Sequence, residues 1–204
     1  MRTIAIVPIK ALTATKTRLA AALAPPDRAA LTLRVLGGVL AALDTPAITA
    51  RLVVTPDAAV LRAAHEAGAT GLRQEGEGLN EGLAQGRAWA LAAGAGTILI
   101  VLGDLPLLAR DNVTALLALA DRPQVAVFAP DRHGTGTNAL LLRPPDALPF
   151  AFGPDSLARH RAAAWARGLP SRAYDAPGTA LDLDTPADLA ELDAVRARVL
   201  SRGD

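Results

Sequence analysis

The chain of 204 residues contains no cysteine, which excludes a disulfide framework, thiolate zinc and iron–sulfur centres, and a cysteine nucleophile. Histidine is scarce, and His65, His133 and His160 fall at no metal-ligand or triad spacing, so surface or packing roles are expected for them. Aromatic side chains are limited to three Phe, two Trp and one Tyr, and the core must therefore be built from Ala, Leu, Val and Ile. Trp89 and Trp165 lie on helical stripes and are expected in that core. No uninterrupted apolar run reaches membrane-spanning length, and the opening "TIAIVPI" is too short and too weakly flanked for a secretory signal. A cytoplasmic protein with no membrane segment is expected. Neither sign of charge dominates: 21 basic and 20 acidic residues give a formal +1, with no basic stripe for nucleic acid and no acidic tail. A small soluble ligand is the remaining partner class. Lysine is nearly absent too, since Lys10 and Lys16 stand against nineteen arginines.

Short apolar runs alternate with segments of helical period, the pattern of a wound α/β sheet in one domain spanning residues 1–204. Strands are expected at "TIAIVP", "RLVVT", "TGLRQ", "GTILIVLGDLPLL", "QVAVFAP", "ALLLRP" and "SRAYD". Between the first two, Leu31, Val35, Leu36, Val39 and Leu43 share one helical stripe. A helix at "LNEGLAQGRAWALAAG" is expected to be capped by Asn80, and another spans "GPDSLARHRAAAWARG". The segment "GTILIVLGDLPLL" is continuous in its apolarity, as a central strand buried on both faces requires.

Ligands of open α/β sheets sit beyond the carboxyl ends of the strands, so polar residues just past a strand are the candidates. Lys10, Lys16 and Arg18 follow the first strand in a loop without glycine. Such a loop cannot cradle phosphate with backbone N–H groups as a Walker or Rossmann turn does, and side-chain charge must supply the binding. As exposed loop cations they should add little to stability. Asp104 follows the central strand and suits Mg²⁺, a hard cation that takes one or two carboxylates plus substrate phosphates. In "LDLDTPAD", strand alternation projects Asp182 and Asp184 together while Leu181 and Leu183 face inward. Two carboxylates on one face repel unless a cation lies between them, so the three aspartates are expected to converge on one metal. Thr185, Pro186 and Asp188 read as N-cap, N1 and N3 of the last helix. Two anion sites are also conceivable: a nest at Gly134 to Thr137, and the helix N-terminus opened by Gly153 to Ser156. For each the alternative is a plain turn or cap.

Taken in order over nearly the whole chain, "VPIKALTATKTRLA", "LNEGLAQG", "LGDLPLL", "DRHGTGTNALLL", "FGPDSLARH" and "LDLDTPADL" resemble the CofC/FbiD guanylyltransferases of deazaflavin coenzyme F420 biosynthesis. The resemblance implies a GT-A-like, Rossmann-like nucleotidyltransferase fold, a three-layer sandwich around a mostly parallel mixed sheet. It implies transfer of GMP from GTP to a phosphorylated three-carbon acid, with release of pyrophosphate. Lys16, Arg18 and Lys10 would contact the GTP phosphates, and Asn80 would lie by the nucleoside. Asp104, Asp182 and Asp184 would hold Mg²⁺, and Thr137, Gly153 and Ser156 would cradle the acid. Lys16, Arg18 and Asp104 would be the catalytic set, while Asp155 sits awkwardly near a phosphate. The Arg- and Ala-rich composition is of the bacterial kind, whose members resemble the phosphoenolpyruvate type; 2-phospho-L-lactate and 3-phosphoglycerate are the alternative acceptors. A homodimer is compatible with the sequence. The rival readings are a glycosyltransferase on the same fold and a non-catalytic nucleotide-binding module.

Overall fold

Seven strands form one sheet in a computed structural model that describes residues 1–200. Their ranges are β1 Arg2–Pro8, β2 Ala50–Thr55, β3 Thr70–Arg73, β4 Ala95–Val101, β5 Val125–Pro130, β6 Thr137–Arg143 and β7 Ser171–Ala173, in the spatial order β3-β2-β1-β4-β6-β5-β7. Each of the seven apolar runs expected as strands forms one, whereas residues 181–184, whose alternation was read as that of a strand, pair with no strand of the sheet. The pairs β1–β2, β1–β4, β2–β3 and β5–β7 are parallel, whereas β6 runs antiparallel to both β4 and β5. The sheet is therefore mixed and mostly parallel, as the resemblance implied.

Alternation along the strands builds two cores. Ala5, Val7, Leu99 and Val101 face one layer of helices, namely α1 Pro25–Ala42, α2 Ala58–Glu66, α4 Arg110–Ala118 and α7 Pro186–Leu200. Ile4, Ile6, Ile98 and Ile100 face the other, α3 Leu79–Ala92 and α5 Ser156–Ala166. A short α6, Pro177–Ala180, was not anticipated. The expected stripe of α1 is buried in full, from Leu31 to Leu43. Among the described residues no helix is long and apolar enough to cross a membrane.

Trp165 corrects an expectation. It lies 89% exposed on α5, whereas Trp89 is partly buried against the second core. The apolar face of α5 is already filled by Leu157, His160 and Ala164, and Trp165 follows Ala164 by one residue, a step of about 100° around the helix. Periodicity alone did not separate these neighbours.

The reversal of β6 decides where the site lies. An antiparallel strand begins at the edge where its parallel neighbours end, so Thr137 and Asn138 arrive beside the exits of β4 and β5, with Val101 opposite Ala139 and Pro130 opposite Thr137. At the same edge β4 leaves against β1 through Gly103, where a Cβ would stand 2.0 Å from Ile9 Cδ1.

Leu99 is fully buried in central β4, and Leu99→Ala is expected to cost about 2–5 kcal/mol in urea unfolding. Trp165→Ala should change stability by no more than about 0.5 kcal/mol. A large loss for Trp165→Ala would return that side chain to the core.

Candidate active site

Lys16 is the first surprise. Its residue is 8% exposed, not a solvated loop cation, and its backbone is left-handed at φ 51°. The Nζ ammonium donates to the Leu183 carbonyl and lies 3.8 Å from Asp184 Oδ1. The expectation that Lys16 is dispensable for stability is thereby corrected, because its removal would leave a carbonyl and two nearby carboxylates without their cation. Lys10 and Arg18 are exposed, as expected of groups meant for a soluble anion. The loop is anchored by Asp57, which caps α2 through Ala59 N and Val60 N and also accepts from Leu12 N at 2.9 Å.

The segment carrying Asp182 and Asp184 is not paired into the sheet, yet its alternation is the expected one: Leu181 and Leu183 are buried and both aspartates half-buried. Leu183 N donates to the Asp104 carbonyl at 3.0 Å. The same peptide neighbourhood thus meets Asp104 on one side and Lys16 on the other. Beyond it the capping box forms as read from the sequence, with Asp188 Oδ2 accepting from Thr185 N and from Asp184 N at 2.8 Å, and Thr185 Oγ1 accepting from Asp188 N. Arg132 adds ion pairs to Asp188 and Glu191. Asn138, buried at the start of β6, holds the approach by donating to the Thr179 and Ala180 carbonyls.

Asp104 is the electrostatic centre. Its Oδ1 is buried without a hydrogen-bond partner. Burial pushes its carboxyl up to about 6, Lys16 opposes the rise, and Asp184 and Asp182 add to it. Asp182 is also raised, first by burial and then by Asp184, Asp188 and Asp131. The expected three-aspartate metal site is not preassembled: among the described residues no three His, Asp or Glu side chains are grouped so as to hold a metal ion. Like charges keep carboxylates apart, and the Lys16 ammonium already stands beside Asp184. An orphaned carboxylate oxygen with two further carboxylates in its field still fits a hard divalent cation that completes its shell with ligand phosphates.

The two anion nests are largely occupied from within. Asp131 places its carboxylate in the first, accepting from Thr135 N at 2.9 Å and from Thr135 Oγ1. At the second, Ser156 N donates to Gly153 O and Leu157 N to Thr135 O, so two of the first N–H groups of α5 are taken. Asp155 adopts φ 53° and, though at the N-cap position, makes no side-chain cap. Thr137 and Ser156 are buried and Gly153 is exposed at φ 116°.

Asn80 does not cap α3; that position is Gly78. Its side-chain amide instead donates to Phe152 O at 3.0 Å and accepts from Phe152 N at 2.9 Å. A residue 72 positions away is bound, which no local pattern announces. Two neighbours of this loop were missed. Arg159 brings its guanidinium to within 3.4 Å of where a Gly153 Cβ would be. His160 is fully buried beneath the same loop, its imidazole held down to about 4 by burial and by the Arg159 charge. The "RH" after "FGPDSLA" was the available signal.

A family model described as guanylyl transferase CofC like matches residues 3–194. A phosphoenolpyruvate guanylyltransferase of Sphaerobacter thermophilus is 52% identical, covering 94% of this chain and 93% of its own. One of Rubrobacter xylanophilus is 50% identical, covering 95% of each. The solved structure of CMP:2-keto-3-deoxy-manno-octonic acid synthetase with CTP superposes with a TM-score of 0.64 at 15% identity, over 97% of this chain and 99% of that one. At that identity it speaks to the fold.

The raised Asp104 carboxyl has a consequence for stability. An acid whose folded value, about 6, exceeds its ordinary one destabilises the fold when ionised, and that cost vanishes as pH falls through the folded value toward about 4. In chelator-treated buffer Asp104→Asn should therefore melt above the unsubstituted protein at pH 8, the gap closing by about pH 4. A gap that widens on acidification would contradict the burial of this charge.

Proposed function

Since the chain belongs to the guanylyl transferase CofC-like family, we propose that it transfers GMP from GTP to phosphoenolpyruvate, giving enolpyruvoyl-2-diphospho-5'-guanosine and pyrophosphate in deazaflavin coenzyme biosynthesis. Identity of half the residues with phosphoenolpyruvate guanylyltransferases over nearly the full chain carries this reading. A phosphate oxygen of the acceptor attacks the α-phosphorus of GTP, the bond from that phosphorus to the α,β-bridging oxygen breaks, and pyrophosphate departs. A phosphomonoester with its second pKa near ~6 is already ionised at neutral pH, so no general base is required. The absence of a histidine base among the candidates is then consistent with the chemistry.

What the chain must supply is charge and position. Lys16 offers an ammonium beside Asp104 and Asp184, and Arg18 and Lys10 extend the positive charge into solvent to meet the triphosphate. Mg²⁺ fits the orphaned Asp104 oxygen, with Asp184 and Asp182 beside it; when bound it would offset the charge of the phosphates and of the leaving pyrophosphate. Thr137, Gly153 and Ser156 serve the acid across the same sheet edge, and Arg159 offers the cation that cradle otherwise lacks. The reading includes a cytoplasmic setting, where GTP and the acid are found.

A panel of four nucleoside triphosphates against phosphoenolpyruvate, 2-phospho-L-lactate and 3-phosphoglycerate tests this, with pyrophosphate as readout. The highest kcat/KM is expected for GTP with phosphoenolpyruvate. A higher value for another acid would reassign the acceptor, and release of a nucleoside diphosphate would indicate glycosyl transfer. Asp104→Asn should lower kcat by about 10²-fold or more, the scale of losing one preorganised electrostatic group.

A further inference from the structure

We propose that His160 is a positioning residue for the acceptor site, setting the direction in which the Thr137 hydroxyl donates. The inference rests on the reading that Thr137, Gly153 and Ser156 face the acid. His160 Nε2 accepts from Ala151 N at 3.0 Å, and its Nδ1 lies 3.0 Å from Thr137 Oγ1. A ring nitrogen that accepts an N–H carries no proton, so in the neutral imidazole the proton is on Nδ1 and is donated to the threonine oxygen. Thr137 then cannot donate to the histidine. Its own hydroxyl proton must point elsewhere, and among the described residues the hydroxyl has no second partner. A hydroxyl forced to be a donor is what a phosphate or carboxylate oxygen requires.

The ring is held so that this choice persists. Phe128 stacks on it, with centroids 6.3 Å apart and planes 9° from parallel, and Phe152 meets it edge-on at 4.9 Å. Ala151 and Phe152 are the residues just before Gly153, and Phe152 is tied on its other side to Asn80. One imidazole therefore orders both halves of the acceptor cradle: the loop through Ala151 and the β6 hydroxyl through Thr137. It sits behind them, fully buried, and acts through groups that touch the substrate.

Steady-state kinetics of His160→Phe separate this role from a merely structural one. The ring packing is kept and both hydrogen bonds are lost. KM for phosphoenolpyruvate should rise about tenfold, the factor corresponding to one lost hydrogen bond to a charged group, while KM for GTP stays within about twofold. His160→Asn, whose amide can reach the Nδ1 position, should recover part of the loss; His160→Gln, which reaches the Nε2 position, should recover less. In a cycle with Thr137→Val the double variant should be no worse than the worse single one. An unchanged KM for phosphoenolpyruvate, a parallel rise in both KM values, or additive losses would each overturn the proposal. Failure of the unsubstituted protein to use phosphoenolpyruvate would instead overturn the functional reading beneath it. Should the variants not fold, ¹⁵N NMR of the unsubstituted protein decides: a neutral Nδ1–H imidazole at pH 7 is required, and an Nε2–H tautomer or a charged ring refutes the proposal. Assignment is practical because the other two histidines, His65 and His133, are exposed.

Discussion

One residue, Leu183, holds the site together through both of its backbone polar groups. Its side chain is fully buried in the core, its N–H is bound by the Asp104 carbonyl, and its carbonyl is bound by the Lys16 ammonium. Three stretches far apart in sequence, the loop after β1, the exit of β4 and the approach to α7, are joined at this point. Asp182 and Asp184 flank Leu183, so their placement follows from the clasp and not from strand pairing. The capping box of α7 and the Arg132 ion pairs secure the segment from the other side.

The cost of the site is concentrated in three loops at this edge, those after β1 and β4 and the one before α5. Lys16 and Asp155 are the two non-glycine residues with positive φ among the described residues, and such conformations persist where surrounding contacts over-determine them. Asp104 is held with a buried, unpartnered oxygen whose ionisation is disfavoured. A fold selected for stability alone would remove both features. Their presence at the carboxyl edge of the sheet is consistent with a site preorganised for charges it does not itself neutralise.

The sheet supplies the rigid background. Four parallel pairings bring strand exits to one edge, and the reversed β6 adds its beginning to them. The loops after β1 and β4, proposed to take the nucleotide, and the β6 and α5 side, proposed to take the acid, are consequently neighbours. Asn80 joins them directly, because a helix after β3 reaches across to the loop before α5. The same architecture in a synthetase solved in complex with CTP indicates how little of the chemistry the fold itself specifies; loop side chains carry the rest.

The seven strands, the stripe of α1, the alternation around Leu183 and the capping box of α7 were legible in the sequence, because each is a repeat of two or of about 3.6 residues, or a cap spanning three positions. The candidate carboxylates and cations were legible as residue types at strand ends. The tertiary structure alone decided that Lys16 turns inward, that Asn80 binds Phe152 instead of capping its helix, that Asp131 fills the glycine-rich turn, that Trp165 faces solvent and that His160 lies beneath Thr137. Each of these depends on which distant segment comes within hydrogen-bonding or packing distance. Local periodicity records the direction of a side chain from its own backbone, and it contains no information about the group waiting there.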